Sequence, residues 1–225
     1  MFEDLEINIK RSLRKTLSIY LERDGTLSIL APKGLRKKKI DEVLRQKEYQ
    51  IYKYRAEWQE LNRSKKNREY ISGQSFLYLG RNYSLKLIEK LEKPLLLKDG
   101  QFFLLISEKE NAKRHFINFY KENGKIKILN RIVEFKNKIG VNPGKIRIMD
   151  LQNRWASCTG EGNINFHWKC LMAPYAVLDY IVVHELIHLV HKNHTQSFWN
   201  DVDKILPDYK DSIEWLKSHG ASMDL

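Results

Sequence analysis

The segment APYAVLDYIVVHELIHLVH, residues 173 to 191, is apolar on almost every face of a helix, yet it carries histidines and a glutamate towards its end. A helix of that composition is stable only inside a domain. The domain must then accommodate an ionisable carboxyl group in apolar surroundings, which is costly unless a partner neutralises it. His184 and His188 are four residues apart, so they project from one face about one turn from each other, a spacing that suits two nitrogens on one metal ion. Glu185 flanks the same face and can reach a water at that metal without binding it. HELIH is thus the HExxH arrangement of zinc hydrolases. Hydrogen-bonded core histidines are the plainer reading of such a helix, but a carboxylate buried beside two imidazoles is better explained by a metal and its water.

A catalytic zinc site has three protein ligands and one open position, so a third ligand is required. His191 and His194 compete for it. On a continuous helix His191 lies about 20° from His184 around the axis but about 10 Å further along it, out of comfortable reach. His194 reaches the metal only if the helix ends first. Lys192-Asn193 offers that end, because asparagine accepts the left-handed conformation that closes helices. Thr195 is then placed to cap a helix over about 196 to 206, with Phe198, Trp199, Val202, Ile205 and Leu206 facing inward and Pro207 stopping it. The spacing favours His194 over His191, and it leaves His191 as a supporting or surface residue at the helix end.

Upstream, EINIKRSLRKTLSIYLERDGTLSILAP alternates apolar and polar residues around Arg23-Asp24-Gly25 and predicts a β-hairpin. Apolar residues from Ile40 through Val43, Leu44, Ile51, Tyr54, Trp58 and Leu61 predict one amphipathic helix over 37 to 65. Two further hairpins are expected over 70 to 106, turning at Gly80-Arg81-Asn82 and Lys98-Asp99-Gly100. The span 108 to 139 reads as two helices broken at Gly124. KIRIMDL, RWASC and NINFHWKC read as a short antiparallel sheet leading into the histidine helix. The expected class is α+β: a β-rich basic region with one long helix over residues 1–106, then a domain over 107–225 with a short antiparallel sheet and the HExxH helix.

The 225-residue chain has a formal net charge of +12, unevenly placed. Residues 31 to 70 hold 13 Lys and Arg against 6 Asp and Glu, whereas 171 to 225 hold 4 against 8. The basic stretches RKKK at 36–39 and RSKKNR at 63–68, with Tyr49, Tyr52, Tyr54 and Trp58 between them, fit either solvated helix faces or a nucleic-acid contact by phosphate pairing and stacking. Two cysteines are too few for a disulfide framework or a four-thiolate zinc site, and Cys158 has no evident base to make it a nucleophile. No apolar run approaches a membrane span, so a cytoplasmic protein without membrane contact is expected.

RWASC, GNINFHWKCLMAP, LDYIVVHELIHL and NHTQSFW together resemble the YgjP-like metallopeptidases, described as predicted metal-dependent hydrolases, with SprT-like zinc proteases as more distant relatives. The strong match runs from about Lys145 to Leu216. The resemblance implies that residues 107–225 form a zincin-like metallopeptidase domain, with one Zn2+ per chain on His184, His188 and His194 and Glu185 catalytic. It also marks departures: Ala156 stands where the family usually has glycine, and His167 where asparagine is common. The expected function is a zinc metallopeptidase in which Glu185 takes a proton from a zinc-activated water and returns it to the leaving amine. RWASC is placed to form a cleft rim, with Arg154, Trp155 and Ser157 as candidate contacts to a peptide or protein substrate, although Trp155 reads equally well as core and Arg154 as a surface charge. Tyr175, Tyr180, Tyr209, Arg154 and His219 are candidate oxyanion donors, and Asp201 or Asp203 could orient ligand histidines, although a solvated helix face is the favoured reading of both. Two alternatives stand beside this: hydrolysis of nucleotides or other phosphoanhydrides, for which Lys145, Arg147, Arg154 and Lys169 supply charge, and a nucleic-acid-associated module with a structural metal. Glu185 argues against the last, since a structural site needs no base.

Overall fold

The computed structural model describes residues 5–22, 26–62, 68–151 and 154–225, with backbone alone over 56–62. The expected Arg23-Asp24-Gly25 turn, the side chains of Trp58 and Leu61, and residues 63–67 of RSKKNR lie outside what is described. The chain divides into two compact units, residues 1–65 and 66–225.

In the first unit, β1 (Ile7–Ser12), β2 (Ser18–Leu21) and β3 (Leu27–Pro32) form a sheet of order β1-β3-β2. The expected antiparallel pairing holds for β2 and β3, but β1 runs parallel to β3, with Ile7 opposite Leu27. Strand β3 alternates strictly, burying Leu27, Ile29 and Ala31. The predicted single helix is two: α1 (Lys37–Gln46) and α2 (Glu48–Asn62), divided at Lys47, whose φ of −103° and ψ of 5° leave the helical region. Ile40, Leu44 and Ile51 nevertheless keep the spacing that buries them in one core with β3.

In the second unit, β4 (Ser75–Tyr78), β5 (Arg81–Ile88), β6 (Leu95–Lys98) and β7 (Gln101–Leu105) form the two expected hairpins, joined through a parallel β5–β7 pair into the order β4-β5-β7-β6. Their turns, Leu79-Gly80 and Asp99-Gly100, have positive φ at both residues, the twist that closes two-residue hairpins. This sheet shares one core with α3, α4 and the second small sheet, so the boundary falls after Lys65 and not at 106/107 as the run of strands implies. A 3-10 turn (Ile106–Asn111) leads from β7 into α3 (Ala112–Ile139), a single helix of 28 residues.

Gly124 does not break α3. It belongs to the buried stripe Ala112, Phe116, Tyr120, Gly124, Ile128, Ile132 and Phe135. A Cβ there would lie 3.0 Å from Leu171 Cδ2, so the glycine serves close packing against the 3-10 segment Trp168–Met172. Phe116 stacks on Phe76 at 4.2 Å and meets Phe102 edge-on at 5.0 Å, fastening α3 to the four-stranded sheet. Gly140, at φ 81°, closes the helix.

Strands β8 (Ile146–Met149), β9 (Ala156–Cys158) and β10 (Ile164–His167) form the second small sheet, in the order β8-β10-β9. Only β9–β10 is antiparallel, because the β8–β10 pair, Ile146 opposite Ile164, is parallel. The sheet is therefore mixed where an antiparallel one was expected. Helix α4 (Tyr175–Ile187) is buried along Val177, Leu178, Ile181, Val182, Val183, Leu186 and Ile187, as its composition demands. Arg131 of α3 holds it with a two-pronged bond to Asp179, at 2.5 and 2.8 Å. The chain ends in α5 (Gln196–Ile205), α6 (Tyr209–His219) and a 3-10 turn (Gly220–Ser222).

The Leu79-Gly80 turn docks on the start of α4. Leu79 N and Gly80 N donate to the carbonyls of Leu171 and Met172 at 2.7 and 3.1 Å, and a Cβ on Gly80 would lie 2.9 Å from Pro174 Cα. Gly100 shares the left-handed conformation but nothing lies within 4 Å of its Cβ position. Gly100→Ala should therefore cost only the backbone term, roughly 1 to 2 kcal/mol. Gly80→Ala should cost about 2 to 4 kcal/mol, because the displaced backbone adds an overpacking penalty. Urea midpoints of the two variants check this, and equal midpoints would contradict it.

Candidate metal centre

Helix α4 ends sooner than the sequence implies. His188 is its C-cap, and the next turn tightens: Leu189 N donates to Leu186 O at 3.1 Å and Val190 N to Ile187 O at 2.9 Å. Asn193 is not left-handed; among the described non-glycine residues only Tyr70, Leu79 and Asp99 have positive φ. What closes the helix is His188 itself, whose Nδ1 donates to the carbonyl of His191 at 2.9 Å. Thr195 sits at the N-cap of α5 as expected, but its side chain makes no capping bond there.

The reversal between α4 and α5 returns His194 to α4. Nitrogens of His184, His188 and His194 all lie within 4.8 Å of one another, and His184 Nε2 and His194 Nε2 are 3.0 Å apart. Two nitrogens bound tetrahedrally to zinc at about 2.0–2.1 Å would be about 3.3 Å apart, so the spacing fits a shared ion. A carbonyl can only accept, so the bond to His191 O fixes the proton of His188 on Nδ1 and leaves Nε2 a lone pair. Tyr180 Oη, 3.4 Å from His184 Nδ1, can do the same for His184. Burial, then the neighbouring His188 and His194, push His184 down from 6.5 to about 3, and burial and His188 also lower His194. Three imidazoles whose nitrogens converge in this way could hold a metal ion.

Phe198, fully buried on α5, stands 4.9, 4.8 and 4.8 Å from the ring centres of His184, His188 and His194. Trp199 stacks on His194 at 5.7 Å and on Tyr209 at 5.5 Å. Sequence spacing assigns these two aromatics only an inward face, whereas they brace all three rings. Their position four and five residues after His194, one helical turn on, is the signal that could have shown it.

Glu185 is 6% exposed, and its Oε2 has no hydrogen-bond partner among the described residues. Burial raises its pKa from 4.5 to about 7, against the lowering influence of Arg154 and of a backbone hydrogen bond from Cys158 in β9. Burial and the nearby Glu185 push the Cys158 thiol up, which removes it further from nucleophile chemistry.

The remaining expected residues separate. Arg154 is exposed and acts on Glu185 through its charge. Trp155 packs where a Cβ on Gly220 would lie 2.8 Å from its Cζ2, in keeping with the core reading. Ser157 pairs with Asn165 at the centre of β9. His167 is buried, caps the Trp168–Met172 segment by accepting from Lys169 N at 3.0 Å, and pairs with Asp150 at 3.2 Å, so its bonds are those of a structural residue. Tyr209 is engaged with Trp199, and His219 stacks on Trp215 at 4.7 Å. His191 bonds Asp201 at 2.7 Å, so Asp201 departs from the solvated-face reading.

Three convergent imidazoles beside a buried, incompletely satisfied carboxyl group are the chemistry of metal-dependent hydrolases. A family model for the YgjP-like metallopeptidase domain matches residues 15–219, and the chain belongs to the YgjP-like family. Among solved structures, the chain is similar to the metallopeptidase zymogen of Pyrococcus abyssi abylysin, at 27% identity over 40% of this chain and 90% of that one, with a TM-score of 0.38. Comparison with curated proteins gives no match.

The raised Glu185 pKa has a sign. The folded, metal-free protein binds a proton that the unfolded chain releases near pH 4.5, so this group's contribution to stability falls as pH rises from about 4.5 through 7. His184, lowered to about 3, works in the opposite direction below pH 6.5, so the wild-type profile alone is partly cancelled. The difference between Glu185→Gln and wild type isolates the carboxylate. The variant should be near-equal in stability at pH 4 and more stable by on the order of 3 kcal/mol at pH 8. Urea titrations of both metal-free proteins across that range check it, and a pH-independent difference would contradict it.

Proposed function

We propose that the chain is a zinc-dependent peptidase with a zincin-like arrangement, in which His184, His188 and His194 hold one ion through Nε2 and Glu185 is the general base. The observation that carries this is the convergence of the three nitrogens within 4.8 Å at the end of a helix that also buries Glu185. A zinc ion held there supplies Lewis acidity, polarising a scissile carbonyl and making water easier to deprotonate. Glu185, buried beside the three imidazoles with one oxygen that has no hydrogen-bond partner among the described residues, is placed to accept a proton from the attacking water and to pass it to the leaving amine.

The substrate class is read from the strand beside that helix. In the order β8-β10-β9, strand β9 lies at the sheet's edge, and the backbone of Cys158 within it bonds Glu185. An extended peptide pairing with that edge would run alongside the carboxyl group, with Ser157 within the paired stretch and Arg154 just before it. Trp155 then acts as support and not as a contact. The nucleotide reading keeps Arg154 but loses Lys169, whose Nζ is tied to Asp224 at 2.7 Å. Nucleic-acid contact through the first unit rests on exposed Tyr49 and Tyr54 near the lysines and arginines of α1 and α2. Arg68 of the second basic stretch gives no support, because it bonds Ser75 O at 2.9 Å and lies over Phe76.

The test pairs metal content with turnover. Wild-type protein should hold one zinc per chain, lost in His184→Ala and His194→Ala. Glu185→Gln should keep the metal while peptide turnover falls by about 100-fold or more. A parallel screen on nucleotides decides the substrate class. Full zinc occupancy in His194→Ala would sink the ligand set, and undiminished turnover in Glu185→Gln would remove the base.

A further inference from the structure

We infer that His191, which is not among the converging ligands, is a positioning residue for the metal centre, acting as one half of a clasp with Asp201. The inference rests on the ligand set proposed above and extends it to how that set is held. His191 is fixed at three points. Its N–H donates to Ile187 O at 2.9 Å, where α4 ends. Its carbonyl accepts from His188 Nδ1 at 2.9 Å. Its imidazole Nε2 meets Asp201 Oδ2 at 2.7 Å, on α5.

These bonds form one path from α5 to the centre. Asp201 sits three residues after Phe198, one turn along the helix whose buried ring touches all three histidines. The clasp thereby ties the frame that braces the rings to the carbonyl that sets the orientation of His188. It also closes the reversal that ends at His194. A surface ion pair of this exposure contributes little to global stability. The clasp's effect belongs in ligand geometry, because hydrogen-bond partners of metal-ligating histidines typically change metal affinity by about 10–100-fold when removed. Asp203, exposed two residues along the same helix, supplies a control outside the path.

The experiment measures zinc release from the full chain into excess chelator, together with the visible spectrum of the cobalt-substituted protein. His191→Ala and Asp201→Ala should each keep one zinc per chain yet release it about 10-fold faster or more, with an altered cobalt spectrum. The double variant should be no faster than the faster single one, because both break the same path. His191→Gln, whose amide can still donate to Asp201, should restore slow release, and Asp203→Ala should match wild type. Release rates unchanged in both single variants, with wild type holding its zinc, would overturn the clasp alone. A lowered melting temperature of the metal-free protein with unchanged release would do the same, since it would make the pair merely structural. Failure of the wild type to bind zinc would instead overturn the ligand set and the clasp together.

Discussion

The burial of Glu185 is the constraint to which the rest of this molecule answers. A carboxyl group 6% exposed on an otherwise apolar helix, with one oxygen lacking a hydrogen-bond partner among the described residues, is raised by desolvation to a pKa of about 7. Such a group is tolerated only where the surroundings are rigid enough to over-determine it. The helix is held by α3, which packs along it and bonds Asp179 through Arg131, and by the turn at Gly80 that docks against Pro174.

Around that helix the three imidazoles are ordered by unequal means. His184 and His188 come from helical period. His194 comes from a chain reversal that is held by Phe198, Trp199 and the contact of Asp201 with His191. Imidazoles brought together by packing before any cation arrives are pre-organised, so the ordering cost falls on folding. Glu185 stands between the three imidazoles and the edge strand β9, whose Cys158 lowers its pKa.

What the sequence showed, and what it did not, divides by the range of the interaction. The buried helix, the positions of Gly80 and Asp99-Gly100 in hairpin turns and the convergence of His194 were legible, because local period and turn chemistry specify them. The parallel pairings β1–β3, β5–β7 and β8–β10 were not, since no local signal records which distant strand a strand will meet. Gly124 reads as a helix breaker until Leu171 is seen beside it. Asn193 reads as the stop of α4, whereas His188 performs that role through its own ring. Asp201 was named as a candidate to orient a histidine but favoured as a solvated residue, because its partner lies across the reversal and not along its helix.

The most direct measurement is X-ray absorption at the zinc edge of the metal-loaded protein. Three imidazole nitrogens and one oxygen at about 2.0–2.1 Å are the expected shell. A sulfur scatterer at about 2.3 Å would bring Cys158 or Cys170 into the shell, and four imidazoles would bring in a further histidine. Either result would contradict the three-histidine centre.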